Sequence, residues 1–507
     1  VLVVLGECGS AADAPAVVDR LADAEPRVVL RAALAAGRLA APGAVEPLIA
    51  IVREQGAADP DLRHAAVMGL AGCACSEDLA LMAADDSPQV RLAAALVWRR
   101  RADPALAGLL RDGDPLVVLE AARAIHDLPV PAALPALAAL LPECGEAADT
   151  ALLRRALNAN YRLGLPEHGR ALAEAAARDD LPPERRAEAL ELLAEWVAPE
   201  PTDRVTGAWA PLPERPGEFR AALAAELWAQ GLGEAEDEVV LPWLDLVASA
   251  QASGVAPALA EWVLDAGRGS ELRCASMEAL GALPTPDARA VLDAALADPD
   301  AELRATALAV LEALSPEEAL PRVPEVLEQG DLPEQRVALR ILSHSAEPSA
   351  RELLAGQLGR LPLGLVPAEL QLDLVLAAEE CSDPALDAAL ARHREARAAD
   401  AELSPWLDGL FGGDAKEGEE VFRRASLSCQ RCHATFTGGP KTVGPSLAGV
   451  GGRLSRLQLL EAIVLPNRRT AKGFAGTTLF LRDGSALSGR VLGEADGCLR
   501  VQPAEGG

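Results

Sequence analysis

The sequence predicts a mainly α-helical protein, in which a long stack of short helix pairs is followed by a small helical domain with a short β-hairpin insertion. Three observations predict this. Half of the 507 residues are apolar but only 3% are aromatic, so the core is built from Ala, Leu and Val, which suits close-packed helices. A short sequence unit recurs about every thirty residues through most of the first four hundred. From Asp414 onward the unit is gone and the charge changes sign: 13 Lys and Arg stand against 9 Asp and Glu, a net of +4, while the rest carries 34 against 67 and −33.

The unit is an acidic or Pro turn, an apolar residue followed by Arg, then small residues and Leu. Copies are Val29-Leu30-Arg31-Ala32-Ala33, Leu62-Arg63-His64-Ala65-Ala66 and Val90-Arg91-Leu92-Ala93-Ala94. Others are Leu153-Arg154-Arg155-Ala156, Leu272-Arg273-Cys274-Ala275 and Leu303-Arg304-Ala305-Thr306-Ala307, with a weaker one at Gln335-Arg336-Val337-Ala338. Val118-Leu119-Glu120-Ala121-Ala122 keeps the pattern without the Arg. Arg31, Arg63 and Arg91 are 32 and 28 residues apart, and Arg273, Arg304 and Arg336 are 31 and 32 apart. That length holds two short helices and two turns. Asp and Pro before the second helix, as in Asp59-Pro60-Asp61, Asp86-Ser87-Pro88 and Asp298-Pro299-Asp300, supply a cap and a first turn.

Two helical stretches are expected, 1–197 and 219–404. Between them, 198–218 holds Pro199, Pro201, Pro211 and Pro213, which break helices. It reads as an extended segment lying on the helices with Trp209 as its anchor. Residues 405–413, ending in Gly412-Gly413, read as a hinge, and 414–507 as the last domain.

The repeats resemble HEAT repeats of the short PBS-lyase type. The resemblance implies a solenoid, with the Arg of one repeat paired to the Asp of a neighbour. Arg31, Arg63, Arg91, Arg273, Arg304 and Arg336 occupy that Arg position. Such arrays are scaffolds or protein-binding surfaces.

Chemistry enters at Cys429-Gln430-Arg431-Cys432-His433. Cys-x-x-Cys-His is the attachment motif for a c-type haem. Two thiols at this spacing add to the two vinyl groups of one macrocycle, and the adjacent imidazole reaches the iron. Zinc wants four nitrogen or sulfur ligands, whereas His433 is the last His and Cys498 stands alone beyond it. A thioredoxin-like redox pair would need a βαβ setting, which the pattern lacks. The expected cofactor is one covalent haem c, with Cys429 and Cys432 as attachment points and His433 as the iron ligand. The other seven cysteines, with no regular spacing, read as small core residues.

Asp414-Ala415-Lys416-Glu417-Gly418-Glu419-Glu420-Val421-Phe422 resembles the first helix of class I cytochromes c, with Asp414 and Glu417 as a capping box. Gly444-Pro445-Ser446-Leu447 resembles that family's Gly-Pro-x-Leu segment, which implies that the Pro445 carbonyl accepts a hydrogen bond from His433. Ser455 to Ile463 reads as a helix stopped by Pro466, and Arg453 before it is a candidate partner for a haem propionate.

Taken together, Val443 to Gly451, Leu459 to Asn467, Lys472-Gly473-Phe474 and Asp483 to Gly489 look like the planctomycete-type haem-binding domain. That family often follows HEAT-like repeats in membrane-bound dehydrogenase-like multidomain proteins. Thr477 to Leu481 and Leu487 to Leu492 read as the family's β-hairpin around an Asp483-Gly484 turn, and Cys498 to Val501 as a third strand. Class I cytochromes usually place a Met on the distal side of the iron. The three Met residues here are Met68, Met82 and Met277, all in the repeats, so the distal ligand is expected beyond Gly507. The chain opens on Val1 and is expected to be a fragment or a processed chain.

The resemblance implies an electron-transfer module on a HEAT scaffold, taking electrons from a linked or partner sugar or alcohol dehydrogenase. The alternative is a protein-binding scaffold with a haem sensor or accessory domain. Nothing in this chain supplies a distal acid–base pair, so it is not expected to be an enzyme by itself. A redox partner protein is expected, and a protein partner on the solenoid. The acidic balance speaks against nucleic acid, and no apolar run is long enough for a membrane span. Haem attachment to this motif implies an extracytoplasmic location, in the periplasm or at the cell surface.

Overall fold

In the computed structural model the described residues are 1–145, 148–395, 402–424, 427, 429–435, 444–471, 474, 476–482, 485–495 and 497–503. Ser428, Val443, Lys472, Gly473 and the Asp483-Gly484 turn lie outside them. The chain divides into two compact units, Val1–Trp262 with Ala282–Asp287, and Val263–Gly281 with Ala288–Gly507.

The first unit is a solenoid-like stack. Helix Pro26–Arg38 packs on Pro60–Cys73, which packs on Pro88–Arg101, and that on Pro115–Asp127. Thr150–Leu163, Pro183–Ala194 and Asp237–Ala250 continue the series. A proline opens five of these helices, Pro26, Pro60, Pro88, Pro115 and Pro183, and a carboxylate caps Pro60–Cys73, Pro115–Asp127 and Thr150–Leu163. Asp59 accepts from the amides of Asp61 and Leu62 at 3.0 Å, with Pro60 as first residue, and Asp114 accepts from Leu116 at 2.9 Å ahead of Pro115. The facing side chains are small: Ala32, Ala33, Ala35, Ala36, Ala65 and Ala66 are all buried. At the tightest crossing, a Cβ on Gly72 would sit 2.0 Å from the Gly37 carbonyl oxygen, so only glycine fits there. Ala and Gly let the backbones approach, and Leu48, Leu70, Leu106 and Ile125 fill the remaining space at 0% exposure.

Residues 198–218 interrupt the sequence pattern but not the stack, because helices Pro183–Ala194 and Asp237–Ala250 pack directly on each other. The segment lies on the helices as expected for an extended piece, but its anchor differs. Trp209 is 75% exposed. It pairs through its backbone with Thr202 across a tight loop, which leaves the indole outside. The segment is held instead by charge. Asp203 is buried and accepts from Arg162 Nη1 at 3.0 Å. Arg204 pairs with Glu191 and Glu195. The Arg215 guanidinium stacks 3.9 Å from the Trp196 ring and 4.4 Å from that of Tyr161.

In the second unit, Ala301–Leu314 packs on Leu332–His344, and that on Gln371–Glu380. Residues read as a hinge are ordered. Ser404–Leu410 forms a 3₁₀ helix that touches Gln371–Glu380 and helix Arg456–Val464. Asp408 in it is 8% exposed and accepts from Arg394 Nε at 2.7 Å. A buried, paired carboxylate turns this linker into part of the fold.

The C-terminal region holds helices Ala415–Arg423, Cys429–Cys432 and Arg456–Val464 and then a three-stranded antiparallel sheet. β1 (Gly476–Phe480), β2 (Ala486–Ala495) and β3 (Cys498–Pro503) lie in that order, with Thr478 opposite Ser488 and Arg490 opposite Gln502. The hairpin and third strand expected from the alternation are where the sequence places them.

The ion-pair ladder forms in part. Arg91 grips Asp112 with two bonds of 2.7 and 2.8 Å, Arg273 reaches Asp298 at 2.5 Å, and Arg304 reaches Asp331 at 2.5 Å and Glu334 at 2.7 Å. Arg91 and Arg304 also turn back to carbonyls of their own repeat, Asp85 at 2.9 Å and Asp298 at 2.8 Å. Arg63 instead bonds the Gly56 carbonyl at 2.8 Å, and Arg31 is exposed. Arg155 reverses the direction, gripping Asp127 of the preceding helix at 2.9 and 2.7 Å. The seven remaining cysteines are not uniformly core residues: Cys144 is buried, while Cys8, Cys75 and Cys498 are exposed.

Candidate functional site

Cys429 and Cys432 begin and end one helical turn, so positions three apart share a face of it. The Cys429 thiol is free and partly buried. His433 follows at once, its amide bonding the Cys429 carbonyl at 3.1 Å. The imidazole is oriented from the other side. Its Nδ1 lies 2.8 Å from the Pro445 carbonyl oxygen. A carbonyl only accepts, so in this hydrogen bond Nδ1 carries the proton and the Nε2 lone pair is left for a ligand.

The Pro445 loop is itself tied down. Leu447 donates its amide to the Ala434 carbonyl at 2.8 Å, which pairs the loop with the residue after His433. Arg453 donates from Nη2 to the Ser446 carbonyl at 3.1 Å and from Nη1 to that of Ala448. The structure thus brings His433, Pro445 and Arg453 together, with Arg453 clamping the loop that aims the ring. Its guanidinium is exposed and both terminal nitrogens face carbonyls, which gives it a backbone role beside the propionate role expected of it.

Several apolar side chains of the C-terminal region are exposed. No described residue of helices Ala415–Arg423 or Arg456–Val464 is buried. Val421, Leu427, Leu457 and Ile463 are 40%, 53%, 47% and 78% exposed, and a Cβ on Gly418 would meet nothing within 4 Å. The Nε2 lone pair of His433 and the Cys429 thiol are the groups here that could hold a cofactor with a coordinating centre. Among the described residues no three His, Cys, Asp or Glu side chains gather to hold a metal ion by themselves, and no helix is long and apolar enough to cross a membrane.

Sequence reasoning missed a second polar cluster, in the first unit. His126 is 4% exposed, with Nδ1 3.0 Å from Asp127 Oδ1 and Nε2 2.9 Å from Asn158 Oδ1 and 3.6 Å from Asp203 Oδ2. Burial pushes the Asp127 carboxyl up, but hydrogen bonds from His126 and Arg155 outweigh it and hold it at about 2. Asp203 is also held below the usual carboxylate range, burial being outweighed by the Thr206 amide and hydroxyl, His126 and Arg162. The only local signal was the His126-Asp127 pair at a helix end. The cluster pins the 198–218 segment.

No family model matches the chain. In three dimensions it is similar to a Kap121p mutant, with a TM-score of 0.42 and 14% identity over 79% of this chain and 48% of that one. The chain therefore spans about half the length of that protein. It is also similar to an engineered protein, at 0.31 and 16% over 76% and 98%. A structure from work on the interaction between cadherin and beta-catenin gives 0.30 and 15% over 74% and 82%. The solenoid reading rests on this chain's own stacked helices.

Proposed function

We propose that this chain is a helical-repeat scaffold whose C-terminal domain holds one haem c, attached through Cys429 and Cys432 and ligated by His433, and that it passes single electrons to or from a protein partner. The observation that carries the reading is the hydrogen bond from His433 Nδ1 to the Pro445 carbonyl. It fixes the ring's tautomer and direction and raises the basicity of the free nitrogen. Bound haem supplies one-electron chemistry at its iron. The chain's own residues do the rest: Pro445 orients the imidazole, Arg453 and Leu447 hold the Pro445 loop, and the exposed apolar residues shield the group from water. The basic C-terminal region, joined to an acidic body, would guide docking of a redox partner by charge. A linked or separate dehydrogenase fits as the donor, and the attachment chemistry fits an extracytoplasmic compartment.

Co-expression of the chain with a cytochrome c maturation system tests it. Pigment should stay on the protein through a denaturing gel, and Cys429→Ala with Cys432→Ala should release it. Pigment lost from the unaltered chain overturns the reading.

A second reading, a protein-binding scaffold with a haem sensor, is supported by the stacked helices of the repeats. Carbon monoxide separates the two. A haem that binds it readily in the full-length protein supports sensing, and one that excludes it supports electron transfer.

A further inference from the structure

We infer that the C-terminal domain is keyed to the repeats as a fixed end-piece, with Arg336 as the positioning residue, rather than carried on a flexible tether. The argument starts from the ladder. Arg304 reaches forward to Asp331 and Glu334, the two ends of the capping box that starts helix Leu332–His344. One step further, Arg336 reaches forward to Asp414, with Nη1 3.5 Å from Oδ2, and donates from Nη2 to the Gly413 carbonyl at 3.0 Å. Asp414 occupies the same place in its own helix. It precedes Ala415–Arg423 and accepts from the Glu417 amide at 3.0 Å. Asp331-Leu332-Pro333-Glu334 and Asp414-Ala415-Lys416-Glu417 share the Asp-x-x-Glu spacing. Arg336 thus meets the start of the domain's first helix as Arg304 meets the start of Leu332–His344.

Two independent contacts hold the same junction. Gly412 and Gly413 adopt φ of +86° and +82°, and a Cβ on Gly412 would lie 2.9 Å from Leu372 Cβ and 3.0 Å from the Glu369 carbonyl oxygen. The linker passes against the start of helix Gln371–Glu380 at a distance only glycine allows. On the far side, Arg456 donates to the Leu410 carbonyl at 3.1 Å, and helix Arg456–Val464 packs on the 3₁₀ helix Ser404–Leu410. Asp373 sits beside the same guanidinium, 3.6 Å from Arg336 Nε, so the cation lies between carboxylates from two parts of the unit. A site in this domain keeps one orientation to the last repeats, which matters for any partner that must touch both.

Hydrogen exchange on the full chain tests the inference, and it does not depend on haem. In the unaltered protein, peptides covering 404–424 should be protected. Arg336→Ala and, separately, Gly412→Ala should speed their exchange about tenfold or more, while peptides from 301–314 stay unchanged. If Arg336→Ala also exposes 301–314, Gly412→Ala decides, since it lies outside the repeats. Unprotected 404–424 in the unaltered chain, or no change in either variant, overturns the inference. Pigment retention measured on the same samples keeps this outcome apart from that of the haem reading.

Discussion

The repeats and the C-terminal domain solve the same problem of apolar burial in opposite ways. Each repeat covers its neighbour, so Leu48, Leu70, Leu303 and Leu342 are fully buried by the chain itself. In the C-terminal domain, by contrast, Phe480, Ile463 and Leu427 remain 84%, 78% and 53% exposed. A stack of near-identical elements is its own hydrophobic partner. The described residues of the C-terminal domain form short helices and a three-stranded sheet, which have few neighbours to cover them. The difference teaches that burial follows the number of neighbours that each element is given.

The largest expected contrast comes from core truncation. Leu303→Ala, at 0% exposure, should cost about 2–5 kcal/mol of unfolding free energy in denaturant titration. Ile463→Ala without haem should change it by less than about 0.5 kcal/mol. Equal costs would mean that the C-terminal domain has a core of its own.

Next comes the charged pin of the 198–218 segment. Asp203→Ala removes a buried acceptor facing Arg162 and His126 and should destabilise by about 3–5 kcal/mol where the partner charge stays buried. Trp209→Ala, at the exposed tip of the same segment, should lie within about 0.5 kcal/mol of the unaltered chain. The reverse order would restore the aromatic as the anchor.

The ladder sharpens the comparison further. Arg91→Ala, which breaks a two-bond grip on a buried Asp112, should cost about 1.5–3 kcal/mol in the thermal midpoint analysis. Arg423→Ala breaks the exposed pair with Glu419 and should cost at most about 0.5 kcal/mol.

The smallest effect is pH-dependent. The Asp127 carboxyl is depressed to about 2 when folded, against about 4 unfolded. Its contribution is therefore present above about pH 4 and lost as pH falls through about 2. Melting curves between pH 5 and 2 should show a steeper loss for the unaltered chain than for Asp127→Asn. Parallel curves would remove Asp127 from the account.

Much of this was legible because the signals are local. The Arg-Ala unit recurs within a window that spans one helix pair, and the alternation at Thr477 to Leu481 and Leu487 to Leu492 marks both strands in the chain itself. Cys429, Cys432 and His433 lie within five residues, and the Pro445 carbonyl lies 12 residues from the imidazole it holds. The misreadings all concern distant partners. Trp209 stood out by residue type, whereas Asp203 is pinned by His126, 77 positions earlier in the chain. The hinge was inferred from two glycines, yet Gly412 is there because Leu372 crowds it.

The sequence by itself determined the repeat, many of its helix starts and the strands, because caps, prolines and periodicity act over a few residues of chain. Tertiary structure alone decided which Asp each Arg would grip, that charge and not an aromatic ring fastens the 198–218 segment, and that Arg336 reaches Asp414 across 78 residues. Those choices depend on which surfaces meet once the helices stack. A buried charge is worth its desolvation only when folding delivers the opposite charge to it.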